Sequence, residues 1–270
     1  MGETIRLLPD GADPALDTLL ARQLQCIAAD LGSSHARSIA AEGERDAAYD
    51  ALIRKLGLIA SMRHNETGAH LDRVGEMAAL LARLAGRSEG YGATIRRAAP
   101  LHDIGKILIP DRILMKPGAL TASEREVMCL HVEAGVLLLE GVVCPDLVMA
   151  RDIVHCHHER WDGAGYPRRL AGEDIPLSAR ITAIVDVFDA LSNDRVYRPA
   201  MPPAEVQAHL RDGAGTHFDP RLAGLVLAHL DAFWAVRDRI NAAGDEAPAN
   251  CAQPELATLM RRLATTPTGD

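Results

Sequence analysis

The sequence predicts an all-α protein. Apolar residues recur at three- and four-residue spacing along most of the chain. Alternating, strand-like runs are weak. Helix start signals recur, among them the capping box Thr121-Ala122-Ser123-Glu124 and the N-cap pair Asp219-Pro220. Aromatic residues make up only 3% of the 270 residues, so Leu, Ala, Val and Ile must fill the core.

Residues 14–31 carry Leu16, Leu19, Leu20, Leu24, Ile27 and Leu31 at helical spacing and stop at Gly32. A second amphipathic helix covers 36–62, with Tyr49, Leu52, Ile53, Leu56 and Ile59 along it. The segment 1–52 therefore reads as a helical pair, either a dimerisation or signal-relay element or a pair packed in cis on the main domain. After Arg63-His64-Asn65-Glu66-Thr67-Gly68-Ala69-His70 an apolar-periodic helix runs to about 85, and another covers 92–103 around Pro100. Residues 109–118 look like a loop. A helix is expected over 121–140 and another over 146–158. The stretch 160–175 is rich in Gly, Pro and charge and reads as a loop. Pro176 opens a helix to about 191, and further helices cover 203–212 and 220–240. The main domain spans 53–243, and 244–270 is expected to be a mobile tail.

The formal net charge of −8 leaves no cationic excess to neutralise a polymeric nucleic acid, so none is expected as a partner. The five cysteines are scattered, without CxxC spacing, which fits reduced thiols better than disulfides or a thiolate zinc site. No signal peptide or membrane-length apolar run is visible, so a soluble cytoplasmic protein is expected, with no membrane partner.

Five clusters carry groups that suit a metal or a phosphate. Glu66 and His70 share one face if their stretch is helical, although such pairs are common on exposed helices. His102-Asp103 lies between apolar residues, where a carboxylate needs a cation, and Lys106 three residues on supplies a simple ion pair as the alternative. His131 sits in an apolar helix, as many hydrogen-bonded core histidines do. In His155-Cys156-His157-His158-Glu159, three histidines fall within four residues of a chain that has eleven in all. Asp186 lies on a nearly all-apolar helix and is expected to be buried, whereas Asp189 and Asp194 read better as exposed or capping. Together Glu66, His70, His102, Asp103, His131, His157, His158 and Asp186 form an N/O ligand set without thiolate. That set suits two or three ions such as Fe, Mn, Co or Ni. A multinuclear site of this kind fits phosphoester hydrolysis, with a metal-bridging hydroxide as nucleophile.

These residues resemble a known family. His102-Asp103-Ile104-Gly105-Lys106 is similar to the signature of HD-domain phosphohydrolases. The run from His157-His158-Glu159 to Gly165-Tyr166-Pro167 resembles the extended HD-GYP signature. Ile109-Pro110-Asp111, Lys116-Pro117-Gly118, Ile175-Pro176-Leu177, Asp186-Val187-Phe188-Asp189-Ala190-Leu191 and Phe218-Asp219-Pro220 resemble family motifs in the family's order. The likeness spans about residues 53 to 240.

The resemblance implies an HD helical core with additional C-terminal helices. It implies hydrolysis of the bacterial second messenger cyclic di-GMP to pGpG or GMP, with iron as the favoured metal. It makes Asp103 the bridging carboxylate and catalytic with Lys106, whose charge lies near the scissile phosphate. Glu66 is similar to the extra ligand of three-metal members. Arg195 and Arg198 resemble a basic pair that holds phosphate or guanine, to which Lys106 and Tyr166 would add substrate contacts. The Gly165-Tyr166-Pro167 loop could instead meet a signalling-protein partner, or simply fix a turn. Arg169 stands where the family usually has Gly, and Val196 where Pro is frequent. Arg168 and Arg169 would either extend the substrate site or face solvent, and solvent is the expectation.

Overall fold

The computed structural model describes residues 43–44, 46–61, 68–194 and 198–245. Among them the protein is helical throughout and contains no strand, only an isolated bridge between Ala214 and Phe218. The chain divides into two compact units, Met1–Leu52 and Ile53–Asp270, and every residue discussed below belongs to the second. The helix expected over 14–31, the residues Glu66 and Arg195, and most of the expected tail lie outside the described residues. No helix among the described residues is long and apolar enough to cross a membrane.

Helix α1 (Gly68–Leu84) and helix α7 (Leu177–Ser192) form the centre and pack on each other. α1 buries Leu71, Val74, Met77, Ala78 and Leu81, the 3.6-residue stripe expected of a helix with one face in the core. α7 is buried on nearly every side, through Ile181, Ile184, Val185 and Phe188. All three phenylalanines, Phe188, Phe218 and Phe233, are in the core, and the aliphatic residues fill the remainder. Each such fully buried side chain contributes about 1.5–3 kcal/mol relative to exposure.

Helix α2 (Glu89–Ala98) starts where the Ser88 hydroxyl accepts from the Tyr91 amide. Pro100 ends it, because a proline has no N–H for the helical ladder, and the chain tightens into a 3₁₀ turn at Ala99–Leu101. A second 3₁₀ turn follows at Ile104–Leu108. His102-Asp103 thus sits in the break between two turns, not inside the helix expected over 92–103. Helix α3 (Asp111–Leu114) is a single turn within the expected loop.

The expected helix over 121–140 is two helices. α4 (Ala122–Cys129) starts at the capping box, where Thr121 and Glu124 each accept from the other's backbone amide. α5 (His131–Leu138) begins after a break at Leu130. The break carries no Pro or Gly. It follows from packing, because α5 lies directly against the 3₁₀ turn Ile104–Leu108. Helix α6 (Pro145–Cys156) delivers the histidine cluster at its C-terminal end. Helix α8 (Pro203–Asp212) covers the expected residues. The expected helix over 220–240 is likewise divided at His229, into α9 (Pro220–Ala228) and α10 (Leu230–Asp245).

Candidate metal centre

The backbone break at His102-Asp103 sets the position of the centre. Gly105, two residues on, lies so close to α5 that a Cβ there would fall 1.9 Å from the His131 carbonyl oxygen. Gly135 on α5 is equally bare, and a Cβ on it would lie 3.2 Å from the Gly105 nitrogen. Two glycines therefore let two backbones meet, and the meeting brings Asp103 to His131.

Asp103 is buried and lies between two groups of side chains. Its Oδ1 is 3.3 Å from His131 Nε2 and 3.6 Å from His157 Nε2. Its Oδ2 is 3.2 Å from His102 Nε2 and 2.5 Å from the Lys106 ammonium. The first candidate ligand group is Asp103, His131, His157 and His158, and the second is His70, His102 and Asp186. Within each group the donor atoms lie within 4.8 Å of one another. His102 Nε2 is 3.8 Å from Asp186 Oδ1.

Three of the histidines are oriented in one way. Hydrogen bonds to backbone carbonyls hold the Nδ1 of His102 (Ala99, 3.0 Å), His131 (Met128, 2.7 Å) and His157 (Val154, 3.1 Å). A carbonyl only accepts, so Nδ1 carries the proton and the Nε2 lone pair faces inward. The Nε2 atoms of these three histidines and Asp103 Oδ1 are fully buried and have no hydrogen-bond partner. Four such atoms around Asp103 are expensive to bury unless cations collect their lone pairs. Imidazole with carboxylate and no thiolate is a donor set for first-row divalent metals, so the residues fit a metal centre.

The electrostatics agree. Burial alone would raise the Asp103 carboxyl, but Lys106 and His102 beside it hold it well below the ordinary carboxylate range. Burial drives His131 down to about 4 and, with His157 next to it, drives His158 well below its usual value. Both imidazoles are therefore neutral at pH 7, the form that binds metal.

The residues expected at this site meet different fates. His70, His102, Asp103, His131, His157, His158 and Asp186 come together, whereas Glu66 lies outside the described residues. Lys106 does form the ion pair with Asp103, directly at the centre. Asp186 is not the buried carboxylate of its helix: its side chain is 25% exposed, whereas that of Asp189 is 2% exposed. The exposed or capping reading of Asp189 is thereby corrected. Asp189 Oδ2 accepts from His70 Nδ1 at 2.7 Å, and Arg73 donates to both of its oxygens. No local sequence signal marks Arg73, because an arginine on an amphipathic helix normally points to solvent. Asp194 is exposed, one of the two readings expected of it, and accepts from the Ala200 amide within the loop. Arg198 donates to the Ala190 carbonyl at 2.5 Å, and Arg195 lies outside the described residues.

The loop after the histidines is tied down from several sides. Glu159, buried, accepts from the amides of Arg168 and Leu170. Gly165 passes so near the Glu159 backbone that no side chain fits there. Trp161 and Asp162 donate their amides to the His217 and Thr216 carbonyls. Arg180 joins the Ile175 carbonyl to the Asp219 carboxylate at the start of α9. Tyr166, followed by a cis Pro167, stacks on His158 with ring centres 4.7 Å apart. Arg168 and Arg169 are exposed as expected, although Arg168 also reaches the Cys156 thiol. Arg169 has φ 56°, the left-handed region, which accounts for the family's usual glycine there.

Residues 55–222 match the HD domain family. Over 186 residues the chain is 46% identical to 3'3'-cGAMP-specific phosphodiesterase 2 of Vibrio cholerae, covering 69% of this chain and 36% of that protein. It is 43% identical over 192 residues to a probable cyclic di-GMP phosphodiesterase of the same species, covering 66% and 44%. It is 42% identical over 171 residues to a cyclic di-GMP phosphodiesterase of Thermotoga maritima, covering 63% and 46%. The chain thus spans less than half the length of these relatives. A crystal structure of a cyclic GMP-AMP-specific phosphodiesterase from V. cholerae matches with a TM-score of 0.52 at 18% identity, over 71% of this chain and 52% of that one, which is an agreement of fold. The chain belongs to the HD domain family, in the HD-GYP branch to which its motifs point.

Proposed function

We propose that this chain is a metal-dependent phosphodiesterase that hydrolyses cyclic di-GMP. Water adds across a P–O3' bond of the ring, giving pGpG, and a second cleavage gives GMP. The observation that carries this reading is the position of Asp103, one oxygen toward each of two ligand groups. Asp103, His131, His157 and His158 would hold one ion, and Asp103, His70, His102 and Asp186 another, with Glu66 as ligand for a third. Iron is the favoured metal, with Mn, Co or Ni as alternatives for the same N/O donors. When bound, the ions would supply an acidified water and positive charge for the phosphate oxygens.

The chain's own residues do the rest. Three backbone carbonyls fix which imidazole nitrogen faces the centre. The Lys106 ammonium, 19% exposed beside Asp103, would stabilise charge on the scissile phosphate or give a proton to the departing 3' oxygen. Arg198 spends an N–H on the Ala190 carbonyl, and its other N–H groups, with Arg195, would take a phosphate or a guanine.

A second reading is favoured by the 46% identity to a 3'3'-cGAMP-specific enzyme, namely the same hydrolysis of a mixed cyclic dinucleotide. Iron- or manganese-loaded protein, prepared without oxygen, is given both dinucleotides, separately and in competition. Faster loss of cyclic di-GMP with pGpG or GMP as product supports the first reading. Preferential loss of cGAMP supports the second, and turnover of neither overturns both.

A further inference from the structure

We infer that Asp189 is a positioning residue for one half of the metal centre, acting through His70. The inference rests on the metal reading above. A carboxylate accepts and does not donate, so the 2.7 Å contact places the proton of His70 on Nδ1 and leaves Nε2 as the atom that faces His102 and Asp186. The His70 and His102 rings lie edge to face, 5.7 Å apart.

Asp189 is itself held by two further side chains, Arg73 and Asn193. Arg73 on α1 donates Nε to Oδ1 at 2.5 Å and Nη2 to Oδ2 at 3.0 Å. The Asn193 amide donates to Oδ1 at 3.1 Å. Arg73 continues to Asn241 on α10 at 2.8 Å, and Asn241 returns to Asn193 at 3.0 Å. Oδ2 thus serves His70 and Arg73, and Oδ1 serves Arg73 and Asn193. Every contact to this carboxylate is a donor. Within the second ligand group only His70 is so served, because His102, like His131 and His157 of the first group, rests on a backbone carbonyl instead.

In Asp189→Asn an NH2 replaces one acceptor and faces donors on either side. The His70 ring then loses its preference for the Nδ1–H form. Manganese(II) alone, titrated into the full-length metal-free protein and followed by electron paramagnetic resonance, reads the effect. The expected result is about a tenfold or greater weakening of one manganese site in the variant, with the other site unchanged. Equal weakening of all sites, or none, overturns the inference. A second measurement does not require the variant to fold. Nitrogen-15 NMR of histidine-labelled wild-type protein, with the His70 signals assigned by their loss in His70→Gln, reads the tautomer directly. A protonated Nδ1 and a bare Nε2 are expected, and a protonated Nε2 with a bare Nδ1 overturns the inference whatever the variant does. If the wild type binds no manganese, the metal reading fails and the inference with it.

Discussion

Gly105 lies against the carbonyl of His131 so closely that a Cβ would sit 1.9 Å from that oxygen. A glycine in the sequence thus sets a distance between two candidate ligands, Asp103 and His131. Gly105→Ala must push the 3₁₀ turn away from α5. The expected cost is about 2–3 kcal/mol in a chemical-denaturation experiment, with loss of metal from the first ligand group. An alanine variant as stable and as metal-loaded as wild type would contradict the placement.

Lys106 tests the division of labour between charge and ligation. It touches Asp103 but is not a ligand. Lys106→Met is expected to retain the metal and to lose about a hundredfold or more in kcat, with a smaller change in KM. Metal content and steady-state kinetics on one preparation check it. Loss of metal in step with activity would assign Lys106 a structural role instead.

Acid should destabilise the metal-free protein in a defined window. Burial, before any other cause, lowers His131 and His217 to about 4. Both titrate near 6.5 when unfolded. Between these values the unfolded chain holds more protons than the folded one, so stability falls as pH drops from about 6.5 toward 4 and returns as pH rises. His131, almost fully buried, accounts for about 2–3 kcal/mol of this change. Urea midpoints at pH 7 and pH 4.5 measure it, and equal midpoints would contradict it.

Arg169 offers a test of the loop. Its φ of 56° costs a side-chain-bearing residue about 1 kcal/mol, partly offset by the entropy a glycine loses on folding. Arg169→Gly is expected to be neutral or to raise stability by about 0.5 kcal/mol, with hydrolysis unchanged. A thermal melt and a rate assay suffice. A fall in turnover would bring the exposed guanidinium into substrate binding.

Much of this was legible in the sequence because the signals are local. Helical periodicity, Thr121 with Glu124, and Asp219 with Pro220 mark helices and their starts through contacts made within a few residues, whereas the helix expected over 92–103 misses the Ser88 cap and runs past the stop at Pro100. The breaks at Leu130 and His229 have no such marker. The first comes from a glycine contact between segments about thirty residues apart. The histidine cluster, the His102-Asp103 dyad and Asp186 were visible as chemistry that a core does not need. Asp189 was not. It lies one helical turn from Asp186 on the same apolar helix and, being the more buried of the two carboxylates, needs a partner more. Its partners, His70 and Arg73, are more than a hundred residues away, and no local pattern connects them.

Asp103 is proposed to join two ligand groups into one hydrolytic centre. Metal content and cyclic di-GMP hydrolysis, measured together on wild type and Asp103→Ala purified without oxygen, test it most directly. The expected result is at least two ions per wild-type chain with product formed, and in the variant loss of metal from both groups and no detectable turnover. A variant that keeps its metal and hydrolyses at the wild-type rate would contradict it.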